Sequence, residues 1–172
     1  MTRAIFFDRD GVVNTRILGG YVRHWEEFEF LADIGDVLKA IKQKGYLAII
    51  ITNQRGVGKG IMKESDLQTI HTKMQESLQK NFGVQFDDII SCTDASNDST
   101  RRKPSPAMLL EARDKWQIDL GTSYFIGDSP SDIEAGERAG TKTIFLQNTH
   151  ETPPLTATYI IGRLSELPDL VA

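Results

Sequence analysis

Ala4-Ile5-Phe6-Phe7-Asp8-Arg9-Asp10-Gly11-Val12-Val13-Asn14 is the stretch that decides how this chain folds. Ala4 to Phe7 are apolar without alternation, the pattern of a short strand buried on both faces in the middle of a parallel sheet. Two aspartates follow at once. A carboxylate at the end of a buried strand must be paired or bound to a metal, because an isolated buried anion is very costly. Gly11 then lets the chain turn sharply out of the sheet. The bland alternative is a polar loop that happens to hold two aspartates, and the rest of the sequence has to choose between them.

Working outward, strands and helices alternate. After Gly11 comes an irregular stretch, Val12 to Leu31, with aromatics at Tyr21, Trp25, Phe28 and Phe30 and glycines at 19 and 20. It reads as a flap over the end of the first strand, its aromatics packing in the core, with a share in gating or substrate contact as the second reading. Ile34, Val37, Leu38 and Ile41 recur at helical spacing before Gly45. Tyr46 to Ile51 is a second continuous apolar run, ending at Thr52-Asn53-Gln54 and followed by the glycine-rich, basic loop Arg55 to Gly60. Ser65 and Gln68 fit a capping box for a long helix striped by Leu67, Ile70, Met74 and Leu78. Ile89 and Ile90 mark a third strand ending near Cys92, and Thr93 to Thr100 reads as a loop. Arg101-Arg102-Lys103-Pro104 leads into a helix through Met108 and Trp116, with the proline expected in its first turn. Tyr124 to Ile126 is a fourth strand running into Gly127-Asp128-Ser129-Pro130-Ser131-Asp132, followed by a short helix from Ile133 to Ala139. Thr143 to Leu146 and Tyr159 to Ile161 supply a fifth strand and an edge strand. This alternation predicts an open parallel α/β sheet.

In such sheets ligands bind outside the carboxyl ends of the strands. Asp8 and Asp10, Thr52, and Asp128 and Asp132 all stand at predicted strand ends, and Lys103 opens a helix, so distant residues are expected to meet in one crevice. The chemistry of each suits a phosphate. Asp8 is a candidate carboxylate nucleophile. Asp10 can turn back to protonate a leaving alkoxide and later deprotonate water. Asp8 and Asp128 supply hard oxygen ligands suited to Mg²⁺. Thr52, with the backbone N–H groups of Asn53 and Gln54, can hold phosphoryl oxygens, and Lys103 adds a positive charge there.

Composition narrows the rest. A chain of 172 residues, 40% hydrophobic and 26% charged, is read as one domain spanning 1–172. Net charge is −4, which leaves no electrostatic footprint for nucleic acid, and no apolar run approaches the ~20 residues of a membrane span. The N-terminus enters a strand with no room for a signal peptide, and Cys92 is the only cysteine, so a cytoplasmic home without disulfides is expected.

Asp8-Arg9-Asp10-Gly11, Thr52-Asn53-Gln54, Arg102-Lys103-Pro104 and Gly127-Asp128-Ser129-Pro130-Ser131-Asp132 resemble, in order and spacing, the four motifs of the haloacid dehalogenase (HAD) superfamily of phosphatases. The resemblance covers nearly the whole chain. It implies a doubly wound, Rossmann-like sheet, a nucleophilic Asp8, an acid–base Asp10, phosphate-binding Thr52 and Lys103, and Mg²⁺ on Asp8, the Asp10 backbone carbonyl and Asp128. Asp132 would contribute from behind these ligands or through a water. The gaps between the motifs leave room for a flap and one helix but not for an inserted cap domain, so an open site is expected.

Within the superfamily, "DRDGVVN", Tyr21-Val22, "TNQRGVGKG" and "RRKPSPAM" resemble the branch that holds heptose bisphosphate phosphatases and histidinol-phosphatases. That branch commonly carries a zinc loop of three cysteines and one histidine. Here Cys92 remains, Asp94 stands at the place of the histidine, and no later cysteine exists, so no structural zinc is expected. Lys59 stands where the branch often has arginine; it and Arg102 are the candidates for a second phosphate. His71, beside the apolar stripe, is read as structural. The leading expectation is a Mg²⁺-dependent phosphatase of a small phosphorylated sugar, D-glycero-D-manno-heptose 1,7-bisphosphate, working as a monomer. The alternatives are histidinol phosphate, whose ammonium would favour Glu26, Glu29 or Asp94, a DNA 3′-phosphatase, and a signalling domain that keeps its phosphoaspartate. Having both Asp8 and Asp10 on the first strand argues against the last of these.

Overall fold

The computed structural model describes residues 1–172. Six parallel strands form one sheet in the order β3-β2-β1-β4-β5-β6, with β1 Ala4–Phe7, β2 Leu47–Asn53, β3 Asp88–Cys92, β4 Tyr124–Gly127, β5 Lys142–Leu146 and β6 Tyr159–Ile161. All pairings are parallel. The chain winds outward from β1 to β3, returns to lay β4 against the other side of β1, and winds outward again. The switch point of this doubly wound sheet is therefore the β1–β4 boundary, where a crevice opens at the strands' carboxyl ends.

Every β1 side chain is fully buried. Alternation sends Ile5 and Phe7 to one face and Ala4 and Phe6 to the other. On the first face they meet α1 (Ile34–Gln43) and α2 (Glu64–Phe82), through Val37, Leu38, Ile70 and Met74, and the closing helical turn of Leu167. On the second they meet α3 (Ala107–Trp116) and α4 (Pro130–Ala139), through Met108, Leu109 and Ala135. Each buried large side chain contributes roughly 1.5–3 kcal/mol relative to exposure. The two apolar layers together hold the ends of β1, β2 and β4 rigidly in place.

Four local expectations need correction. The Ser65–Gln68 capping box does not form: α2 begins earlier, at Glu64, because the Asp66 carboxylate accepts from the Lys63 N–H at 2.8 Å. Arg55–Gly58 is a helical turn instead of an open loop. Pro104 precedes α3 altogether, the helix starting at Ala107. The helix expected from Ile133 starts at Pro130, since the Asp132 side chain folds back onto the N–H groups of Asp128 and Ser129. The flap is real: Val12 to Leu31 crosses the end of β1, pinned by a bridge between Asn14 and Phe30 and by contacts among Trp25, Phe28 and Phe30.

Candidate active site

The crevice over the β1–β4 boundary is a cavity of about 400 Å³ whose lining includes Asp8, Asp10, Asn53, Gln54, Lys103 and Asp128. Lys103 is its organising cation. Its ammonium is buried and donates to Asp8 Oδ1 at 2.8 Å, Asp132 Oδ1 at 2.7 Å and the Ile51 carbonyl at 2.9 Å, using all three N–H groups. Burial alone would lower its proton affinity, but Asp132 and Asp8 outweigh burial and hold the pKa well above the ordinary lysine value. Asn53 sets the height of this lysine, because its side-chain amide accepts from the Lys103 N–H at 3.0 Å and donates to the Lys103 carbonyl at 3.2 Å.

Asp8 feels the opposite balance. Burial, and then the charges of Asp132 and Asp128, push its carboxyl well above the usual range despite Lys103. Asp128 is pushed up to about 6, by burial first and Asp132 second. The cluster thus packs three carboxylates around one ammonium. Oxygen atoms from Asp8, Asp128 and Asp132 lie within 4.8 Å of one another. A hard divalent cation fits this donor set. Asp8 keeps its Oδ2 free of protein donors. The Asp128 carboxylate has Arg16, at 3.8 Å, as its ion-pair partner, and the Asp10 carbonyl accepts no backbone hydrogen bond. Asp132 is different: its Oδ1 takes Lys103 and its Oδ2 takes the N–H groups of Asp128 and Ser129 and the Ser129 hydroxyl. It supports the cluster from behind. Gly11 makes the close packing possible, with φ of +96° and no room for a Cβ, which would overlap the Asp128 carboxylate.

Asp10 points its carboxylate away from this cluster, toward four N–H donors. Arg9 Nη2 reaches both oxygens at 2.9 and 3.2 Å, Asn14 Nδ2 reaches Oδ1 at 2.9 Å, and Gln54 Nε2 reaches Oδ2 at 2.9 Å. Burial raises the Asp10 pKa, but Arg9, Asn14 and Gln54 together more than offset it and the net shift is downward. Gln54 uses its second N–H on the Thr52 hydroxyl at 2.9 Å, which ties the end of β2 to Asp10.

At the cavity's outer side Arg55 and Arg102 face one another without a carboxylate partner. Arg55 donates to the Ala95 carbonyl at 2.7 Å and Arg102 to Asn97 Oδ1 at 3.0 Å, while the Nε of each is buried and unpaired. Burial, and then the charge of Arg55, lower the Arg102 pKa. Lys59 lies apart from the cavity lining, exposed, donating to the Tyr21 hydroxyl at 2.8 Å. Asp8, Asp10, Asn53, Gln54, Arg102, Lys103, Asp128 and Asp132 are brought together as the sequence suggests, with Thr52 just behind Gln54. Sequence reasoning missed Arg9, Asn14, Arg16 and Arg55. An arginine set between two aspartates at the end of a buried strand was the one signal available for Arg9.

This is the arrangement of a carboxylate-based hydrolase, and comparison with known proteins agrees. Residues 12–140 match the haloacid dehalogenase-like hydrolase family. The chain belongs to that family and is one of its phosphoric monoester hydrolases. It is similar to the D-glycero-beta-D-manno-heptose-1,7-bisphosphate 7-phosphatase of Helicobacter pylori, 40% identical over 154 residues, covering 88% of each chain. It is also 38% identical over 169 residues to the D-glycero-alpha-D-manno-heptose-1,7-bisphosphate 7-phosphatase of Photorhabdus laumondii, covering 93% of this chain and 91% of that one. Among solved structures it resembles the D,D-heptose 1,7-bisphosphate phosphatase of B. bronchiseptica complexed with magnesium and phosphate. That likeness has a TM-score of 0.89 at 26% identity and covers 98% of this chain and 97% of the other.

Proposed function

We propose that the chain hydrolyses the 7-phosphate of D-glycero-D-manno-heptose 1,7-bisphosphate through an aspartyl-phosphate on Asp8. The observation that carries the reading is the Asp8 carboxylate, fixed on one oxygen by Lys103 and free on the other, with Asp128 beside it and the donor-bound Asp10 lining the same cavity. The free oxygen attacks phosphorus as the bond to the sugar oxygen breaks. Asp10 gives its proton to the departing alkoxide, then takes one from the water that cleaves the acyl phosphate and releases inorganic phosphate. As the site stands Asp10 favours the ionised form. An incoming phosphate anion raises its proton affinity and supplies the acid form. Thr52 and the Asn53 N–H hold phosphoryl oxygens and Lys103 supplies positive charge beside them, while the Gln54 N–H, expected to join them, is given to the Cys92 carbonyl at 2.8 Å. Asp8, Asp128 and the Asp10 carbonyl would hold Mg²⁺, whose charge offsets the repulsion between carboxylate and phosphate.

For the substrate, support comes from the relatives and from the uncompensated pair Arg55 and Arg102, which suits a second phosphate on the same small molecule. Arg55 takes the place in this reading that the sequence assigned to Lys59. In this reading residues 1–172 act as one capless domain and as a cytoplasmic monomer.

The test is phosphate release with Mg²⁺ from both anomers of the heptose bisphosphate, histidinol phosphate and a 3′-phosphorylated oligonucleotide, with Asp8→Asn as control. Preference for a heptose bisphosphate, abolished by Asp8→Asn, is expected. Preference for histidinol phosphate would keep the chemistry and overturn the substrate.

A further inference from the structure

Arg9 is the largest fully buried side chain of the protein and, unlike Lys103, has only one carboxylate, Asp10. Its Nη2 serves Asp10, its Nε has no partner, and its Nη1 meets Nε2 of His71 at 3.1 Å. Phe28 of the flap covers the guanidinium at 5.8 Å. His71 stands on α2 four residues after Leu67, on the edge of that helix's apolar stripe, and Arg9 and Asp10 are the charged groups that act on it. A guanidinium has no acceptor atom, so the pairing works only if Nε2 carries a lone pair and the imidazole is neutral.

We propose that His71 is a positioning residue for the phosphatase reaction: as a neutral acceptor it fixes the rotation of the Arg9 guanidinium, and through it the direction of the Asp10 carboxylate. The inference rests on Asp10 acting as the acid and base. Without the acceptor, a buried cation holding one unpaired arm besides its orphaned Nε turns to find another partner, and the two-pronged grip on Asp10 loosens. Because Asn14 and Gln54 still hold Asp10, its aim is degraded and not abolished. Protonated His71 cannot replace the neutral form, since it would place a second cation against Arg9; burial, then Arg9, accordingly lower its pKa to about 3.

The experiment compares His71→Leu, His71→Gln and Asp10→Asn in the Mg²⁺-loaded enzyme, using heptose 1,7-bisphosphate and p-nitrophenyl phosphate, with melting temperatures to verify folding. The sugar alkoxide needs a proton as it leaves; the nitrophenolate does not. His71→Leu is expected to lower kcat/KM roughly tenfold on the heptose substrate and about twofold or less on the aryl one, with most of the loss restored in His71→Gln, whose amide oxygen reaches as far as Nε2. Equal losses on both substrates, no loss, or a His71→Gln enzyme as poor as His71→Leu would overturn the positioning role. Asp10→Asn should show the same split in stronger form. Its absence there would overturn the acid–base reading itself, and the role of His71 with it.

Discussion

Asp128→Asn tests whether the acidic cluster is held in the metal-free protein at a cost to stability. The folded protein pushes the Asp128 carboxyl up to about 6, against an ordinary value of 3.8, through burial and then the charge of Asp132. The sign follows from linkage. Below about pH 4 the carboxyl is protonated whether folded or unfolded, and nothing is lost. Between about pH 4 and 6 the unfolded chain ionises while the folded protein resists, so stability falls as pH rises. Above about pH 6 the full cost stands, about 3 kcal/mol, an upper figure because the charges of Asp8 and Asp132 relax together with that of Asp128. At pH 5 the same relation leaves about half of that cost.

Asparagine keeps the shape and loses the charge, and the backbone carbonyl of residue 128 keeps its 2.9 Å bond from Asn148. In chelator, urea unfolding should show Asp128→Asn more stable than the parent at pH 8, by roughly 1–2 kcal/mol more than at pH 5. In melting temperature that difference is roughly 3–6 °C for a chain of this size. Saturating Mg²⁺ should reverse the ranking, since at 1,000 times its dissociation constant it adds about 4 kcal/mol to the protein that binds it. A variant no more stable than the parent at pH 8 in chelator, or one with the same advantage at pH 5 and pH 8, would refute the reasoning.

Three further substitutions separate the parts of the site. Lys103→Met strands Asp8 and Asp132 without their shared cation; at pH 8 it should cost about 3–5 kcal/mol in urea unfolding, with the cost shrinking on acidification, and phosphate release should disappear. Gly11→Ala forces a Cβ into a left-handed conformation and against the Asp128 carboxylate; a loss of roughly 1–3 kcal/mol in thermal unfolding is expected, with weaker Mg²⁺ binding by calorimetry. Arg55→Ala and Arg102→Ala should each raise KM for the bisphosphate about 10- to 100-fold while leaving p-nitrophenyl phosphate turnover nearly unchanged, as expected for charge-assisted bonds to a phosphate that does not react. Equal effects on both substrates would remove these arginines from the second-phosphate reading.

Asp8, Asp128 and the Thr52-Asn53-Gln54 turn were legible in the sequence for one physical reason. Each lies at the end of a strand with a buried apolar run, and a continuous apolar run fixes where such a strand ends. The helix starts were less legible, because several side chains compete to cap the same turn: Asp66 reaches the Lys63 N–H before Ser65 can act, and Asp132 takes the same role for α4 while also bonding Lys103. Least legible were the cations. Nothing near Arg55 in sequence announces Arg102, and nothing near Arg9 announces His71, 62 positions away, because both pairs meet only when separate crossovers return to the same end of the sheet. The anions of this site are set by single strands and so are written locally, while their orientation is set by cations and amides from other crossovers. A substitution that spares every motif can therefore still misdirect Asp10: at His71 it would leave Asp8-Arg9-Asp10-Gly11 intact while removing the acceptor that aims Arg9.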